Sequence, residues 1–245
     1  MPPRADLRLA LISDLNAGYG STSYTAEVDR AIALIPSLRP DLVLCAGDMV
    51  AGQKTSLTTT QLTAMWAAFE RRILSPLRRA GLPFAPTVGN HDALASRAGG
   101  SYLFECERQE AARFWRRRQS SRWPLLRGRQ RLSVLLFHSA GRPVPAGLGR
   151  LLGAGAVLAG AEALRQLMER HDVAAYISGH QHAYYPARLG QLDLFNLGAT
   201  GSGPRPLLQG GCRPLPDPHR ARPRLEHRAH HRHHHQPAND ATGGT

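Results

Sequence analysis

Asp41-Leu42-Val43-Leu44-Cys45-Ala46-Gly47-Asp48 decides the fold of this chain. It is a short, wholly apolar run that stops at a glycine and then a carboxylate. Such a run, bounded by turn signals, fits a strand buried on both faces. Strands of that kind belong to sheets covered by helices, and ligands bind beyond their carboxyl ends. Asp48 sits at that end.

Outward from this stretch, four more apolar runs stop at residues able to bind metal. Arg8 to Ile12 leads into Ser13-Asp14-Leu15-Asn16. Asp14 and Asn16 are two apart, so an extended chain would point both side chains the same way; the same pair would also serve as turn formers. Leu82 to Val88 reads as a strand broken by prolines and ends in Gly89-Asn90-His91-Asp92. A simple Gly-Asn turn needs no His-Asp after it. Leu132 to Phe137 ends in His138, and Val173 to Ile177 runs into Ser178-Gly179-His180-Gln181-His182. Two histidines two apart at a strand end project to one side, and imidazole is a common metal ligand.

Helical patterns lie between these runs. Tyr24 to Leu38 carries Val28, Ile32 and Ile35 on one face, with Pro36 and Pro40 closing it. Thr58 to Ala80 keeps the helical period through Leu62, Met65, Trp66, Phe69 and Ile73, and Pro76 kinks or splits it. That stripe reads as core. Tyr102 to Gln119 and Ala161 to His171 are further helices, and Gln191 to Leu197 is a last strand before a glycine-rich loop.

The chain has 245 residues, enough for one α/β domain with a sizeable core. No run is long and apolar enough to span a membrane, and no signal-peptide pattern opens the chain, so a cytoplasmic protein is expected. Cys45, Cys106 and Cys212 are scattered and form no CxxC pair, which argues against a disulfide framework and a cysteine-type zinc site. The net charge of +13 is almost all arginine, since Lys54 is the only lysine. Nucleic acid is one partner for such a chain, but arginine usage on a solvated surface is the favoured explanation of the charge. From Ser120 to Gly155 the periodicity fades. From Leu207 to Gln236 there is no Val, Ile, Phe, Tyr or Trp, and disorder is expected there.

The strand ends together offer Asp14, Asn16, Asp48, Asn90, His91, Asp92, His138, His180 and His182. Mixed Asp, Asn and His ligands suit Mn, Fe, Zn, Co or Ni. There are enough ligands for two ions, and two ions about 3.5–4 Å apart clamp the attacking and leaving oxygens of a displacement. Phosphate-ester hydrolysis profits most from such a pair.

Asp14-x-Asn16, Gly47-Asp48, Gly89-Asn90-His91-Asp92 and Gly179-His180-x-His182, in that order, resemble the calcineurin-like metallophosphoesterase superfamily. Ser13 to Thr22 resembles a bacterial branch in which Asn is normal at the second position of the first motif. The resemblance covers roughly residues 7–205 of the chain. It implies an α/β fold: a sandwich of two β-sheets flanked by helices, in four layers. Residues 123–156 are short and irregular, which implies an incomplete second sheet, and residues 206–245 form a tail beyond the domain.

The resemblance also implies roles. Asp48 bridges two ions. Asp14, Asn16 and His182 hold one, Asn90 and His180 the other, and His138 is the candidate for a further ligand. His91 contacts the phosphate and acts as general acid, oriented by Asp92. The implied activity is hydrolysis of a phosphate mono- or diester of a small phosphorylated substrate, by water bridging two divalent ions. Two alternatives stand beside it: a catalytically impaired metal-binding protein of the same fold, and a nucleic-acid-binding protein or nuclease using its arginine-rich segments.

Overall fold

The computed structural model describes residues 7–94, 96–118 and 161–203. His138, the 123–156 segment and the tail after Pro206 lie outside the described residues.

The Asp41–Asp48 stretch is the central strand of the first sheet. β1 (Leu9–Ile12), β2 (Leu42–Cys45) and β3 (Phe84–Pro86) pair in parallel in the order β1-β2-β3. The register sets Leu9 beside Leu42 and Val43 beside Phe84. β2 is buried along its whole length, as its unbroken apolar run requires.

The two faces of this sheet have different partners. Ile12, Val43 and Cys45 point into the large core. Helix α1 (Ala26–Leu34) supplies Val28 and Ile32 to that core. Helix α2 (Thr59–Phe69) adds Met65, Trp66 and Phe69, each 2 % exposed or less. Burying each such side chain contributes about 1.5–3 kcal/mol. Leu42, Leu44 and Ala85 point to the opposite face, where Leu9, Leu11 and Ile177 pack on them.

Helix α2 starts on a capping box. Thr58 Oγ1 accepts from Gln61 N at 3.3 Å, and Gln61 Oε1 accepts from Thr58 N at 2.9 Å. The long helical pattern through Pro76 is split, as expected. A π-helical turn (Glu70–Leu74), in which Ser75 N donates to Glu70 O, precedes α3 (Ser75–Arg79) next to Pro76.

Asn90–Ala93 forms a single turn, α4, where the sequence reading had only a strand end. A two-rung hairpin of β4 (Arg97–Ala98) and β5 (Ser101–Tyr102) follows. It takes Tyr102, the first residue assigned to the next helix, and α5 spans Glu105–Arg116. Phe114 of α5 stacks on Trp66 with ring centroids 4.7 Å apart, which closes the aromatic core.

Helix α6 (Ala161–Arg170) leads into the second sheet. Its described strands are β6 (Ala175–Ser178), β7 (Tyr185–Leu189) and β8 (Leu192–Asn196), in the order β6-β8-β7. β6 runs parallel to β8, and β7 antiparallel to it. β7 went unread in the sequence because Pro186 interrupts it; it lies at the sheet's edge, where proline is tolerated. Helices thus cover one face of the first sheet, β6 packs on the other, and α6 packs against β8. This is an α/β fold with two facing sheets, the second of them small.

Candidate metal centre

Each described candidate ligand follows the carboxyl end of a strand: Asp14 and Asn16 after β1, Asp48 after β2, Asn90 after β3, and His180 and His182 after β6. The parallel pairing of β1, β2 and β3 brings the first three to one edge of the sheet. Backbone hydrogen bonds then lock the loops together. Asp14 N donates to Gly47 O at 3.0 Å, and Leu15 N and Asn16 N both donate to Asp48 O at 2.9 and 3.1 Å. His91 N donates to Asp48 Oδ1 at 2.9 Å. The loop after β6 reaches across from the second sheet, and His180 N donates to Asp14 Oδ2 at 2.9 Å.

Two glycines permit this crowding. A Cβ on Gly89 would fall 2.0 Å from Asp48 Oδ1. A Cβ on Gly179 would fall 1.8 Å from Ser13 Oγ and 2.7 Å from Asp14 Oδ2. Any side chain at either place would push the loops apart.

The backbone is strained at the same residues. Asp14, Asp48, His180 and His182 have φ of 51°, 55°, 74° and 56°, in the left-handed region. For non-glycine residues this costs on the order of 1–3 kcal/mol each, and it persists only where the surroundings enforce it. It also corrects the sequence reading of the two spaced pairs. Alternation along an extended strand would send His180 and His182 to one side. The left-handed turns instead send them to different partners. His180 Nδ1 lies 2.7 Å from Asn90 Oδ1, and His182 Nε2 lies 3.3 Å from Asp14 Oδ1. Asn16 is buried, and its Oδ1 accepts from Ser202 Oγ.

The candidate ligands therefore meet in pairs. Among the described residues no three His, Cys, Asp or Glu side chains close into one cage. The donor chemistry nonetheless fits divalent ions. Asp14 and Asp48 are buried beside Asp92. Among the described residues no lysine or arginine ion-pairs with any of the three. Burial, and then the charges of Asp92 and Asp14, push the Asp48 carboxyl up to about 9. Burial also works to raise Asp14, but hydrogen bonds from His182 and Ser13 outweigh it and hold that carboxyl below its ordinary value. Clustered buried carboxylates without a cationic side chain are an environment that a metal ion satisfies.

Asp92 is fully buried. Its Oδ1 accepts from Met49 N and Val50 N at 2.8 and 2.9 Å, and its Oδ2 accepts from Gly89 N at 2.8 Å. Burial pushes this carboxyl up to about 7 against the pull of those N–H groups. Asp92 thus ties the start of the turn that carries His91 to the loop after β2. On its outer side, the His91 ring faces Tyr19, with centroids 5.4 Å apart.

Several supporting residues were not foreseen. Ser13 Oγ donates to Asp14 Oδ2 at 2.6 Å, and Asn90 Nδ2 donates to Gln53 Oε1 at 3.0 Å. Ser202 Oγ donates to Asn16 O at 2.9 Å, and Gly203 O lies 2.9 Å from His182 Nδ1. Ser13 has a local signal, its place next to Asp14. Ser202 and Gly203 have none, because 186 and 21 positions separate them from their partners.

In the described part of the arginine-rich segment, Arg116 and Arg117 are exposed, while Arg113 and Arg118 make ion pairs. Arg113 pairs with Glu110 at 2.7 Å, and Arg118 pairs with Glu70 while its guanidinium lies 3.7 Å from the Phe114 ring centre.

A strand-end site of paired Asp, Asn and His on facing sheets defines a metallophosphoesterase-type protein, and the chain belongs to the calcineurin-like phosphoesterase family, whose model matches residues 7–184. Membership implies metal-dependent hydrolysis of phosphoesters, and the family generally holds two divalent ions. A Danio rerio protein described as a transmembrane protein with metallophosphoesterase domain is 28 % identical over 190 residues, 72 % of this chain. The chain spans 40 % of that relative's length. No described helix here is long and apolar enough to cross a membrane. Among solved structures, a dimetal phosphatase from Danio rerio aligns with 82 % of this chain and 90 % of its own, at 11 % identity and a TM-score of 0.49. A purple acid phosphatase from yellow lupin seeds aligns with 81 % of this chain and 45 % of its own, at 15 % identity and a TM-score of 0.48.

Proposed function

We propose that this protein hydrolyses a phosphate mono- or diester at a dinuclear centre. Asp14, Asn16 and His182 would hold one ion and Asn90 and His180 the other, with Asp48 shared between them and His138 a further candidate. One observation carries the reading: the side-chain contacts pair Asp14 with His182 and Asn90 with His180. These pairs divide the donors as two neighbouring ions would.

The ions, when bound, supply Lewis acidity and positive charge where the phosphoryl group reacts. Mn, Fe, Zn, Co and Ni all suit the donor set. The chain's own residues do the rest. Asp48 accepts from the His91 N–H at 2.9 Å, which ties the proposed bridging carboxylate to the turn that carries the proposed acid. His91 contacts the substrate phosphate and donates a proton to the leaving oxygen. Asp92 fixes the turn by bonding Gly89, Met49 and Val50. Ser13, Gln53 and Ser202 hold Asp14, Asn90 and Asn16 in place. Such outer partners typically contribute about 10–100-fold in metal affinity or activity.

The test is hydrolysis of a chromogenic phosphodiester and the matching monoester by chelator-stripped protein with Mn(II), Zn(II) or Mg(II) added back. Metal-dependent turnover that Asp48→Asn abolishes is expected, since a neutral amide bridges two cations poorly. Near-normal turnover in Asp48→Asn would remove the assignment.

A further inference from the structure

We infer that Tyr19 is a specificity-determining residue that selects phosphate esters whose leaving group carries a planar ring. The inference rests on the proposed role of His91 at the leaving oxygen. It adds what that reading leaves open, the chemical class of the leaving group.

The placement of Tyr19 is built. The turn around it closes through Ser21 N donating to Gly18 O at 3.0 Å. Gly20 N then donates to Ala51 O at 3.1 Å, and the next residue, Gly52, donates its N–H to His91 O at 2.8 Å. Two adjacent residues of one loop thus hold both the Tyr19 turn and the His91 turn. The rings they position lie 5.4 Å apart and are inclined by 37°. Contact with His91 covers only part of Tyr19, and the residue is 53 % exposed. An aromatic side chain half in solvent, fixed beside the proposed general acid, has no core to pack into. Its exposed surface lies beside His91, within reach of a group leaving past the proposed acid.

The chemistry of that surface favours rings. A phenol ring offers a flat apolar face and a hydroxyl at its edge, and it stacks on any planar system. A leaving group that is a nucleoside or an aryl alcohol would lie on it. A glycerol or other alkyl leaving group would gain little. No charged side chain is required, so the selection acts on the leaving group and leaves affinity for the phosphoryl end unchanged.

The experiment is calorimetric titration of the full-length, Mn(II)-loaded protein with three non-hydrolysable probes: methylphosphonate, phenylphosphonate and the phosphonate analogue of adenosine monophosphate. Wild type should bind the two ring-bearing probes about tenfold more tightly than methylphosphonate, as one aromatic stack provides. Tyr19→Ala should erase that gap and leave methylphosphonate affinity and metal content unchanged. Tyr19→Phe, which keeps the ring, should preserve it. Equal weakening of all three probes in Tyr19→Ala would mean that Tyr19 only props His91, and would overturn the inference. So would the lack of any ring preference in wild type. Methylphosphonate reports on the phosphoryl site alone. If it binds without a ring preference, the Tyr19 inference fails while the proposed function stands; if it does not bind at all, both fail.

Discussion

Asn90 Oδ1 lies 2.7 Å from Nδ1 of His180, a contact across 90 positions of chain and between the loops of two different sheets. Asp14 and His182 make the matching contact at 3.3 Å. If each pair belongs to a separate ion, metal stoichiometry should fall in halves. Asn90→Ala and His180→Ala should each bind one ion in place of two. Asp14→Ala and His182→Ala should also retain one, in the other position. Turnover should drop by at least about 100-fold in all four, more than outer-sphere changes usually cause. Elemental analysis of gel-filtered protein reads the stoichiometry. A variant with two tightly held ions would exclude the altered residue from the ligand set.

Gly179 offers a test of how tightly the second sheet's loop must approach. A methyl group there would fall 1.8 Å from Ser13 Oγ and 2.7 Å from Asp14 Oδ2. Both atoms belong to a buried, hydrogen-bonded pair, so neither can swing into solvent. Gly179→Ala should therefore cost about 1–3 kcal/mol of stability, the usual range for overpacking, and lower metal affinity with it. Gly198→Ala is the control, because its Cβ would lie 3.5 Å from its nearest neighbour. Thermal unfolding of the two variants separates them. Equal melting temperatures would show that the loops have more room than these distances allow.

The strand ends were legible in the sequence because β2 is apolar on both faces and stops abruptly at Gly47-Asp48. Their parallel direction then follows from β1, β2 and β3 being separated by helices. The spacing of the candidate ligands did not reveal how they divide between partners; only the family resemblance implied it. That division depends on left-handed backbone at Asp14, Asp48, His180 and His182, and no local pattern of Asp or His announces a positive φ. Local rules also missed β7, where Pro186 hides an edge strand, and the Arg97–Tyr102 hairpin, whose strands are two residues each. Ser202 escaped for a different reason. A hydroxyl in a glycine-rich loop acquires meaning only when the loop returns to Asn16.

Glu107 supplies a pH test outside the ligand set. It lies on α5, is 2 % exposed, and its Oε1 accepts from Leu94 N at 3.3 Å. Its Oε2 has no hydrogen-bond partner among the described residues. Burial, with a smaller push from the Asp92 charge, raises this carboxyl from 4.5 to about 8. The folded chain therefore keeps a proton that the unfolded chain releases at lower pH. Below about 4.5 both states are protonated and the group has no pH effect. As pH rises from there, the unfolded state gains by ionising, and stability falls until the folded carboxyl also ionises near 8. Glu107→Gln carries no such proton and mimics the neutral form. Its melting temperature relative to wild type should rise between pH 5 and pH 9 and level off above that, in a series of unfolding curves at fixed ionic strength. A difference that stays flat across the range, or that shrinks toward alkaline pH, would show that Glu107 is ionised in the folded protein and that its unpartnered oxygen is reached by water.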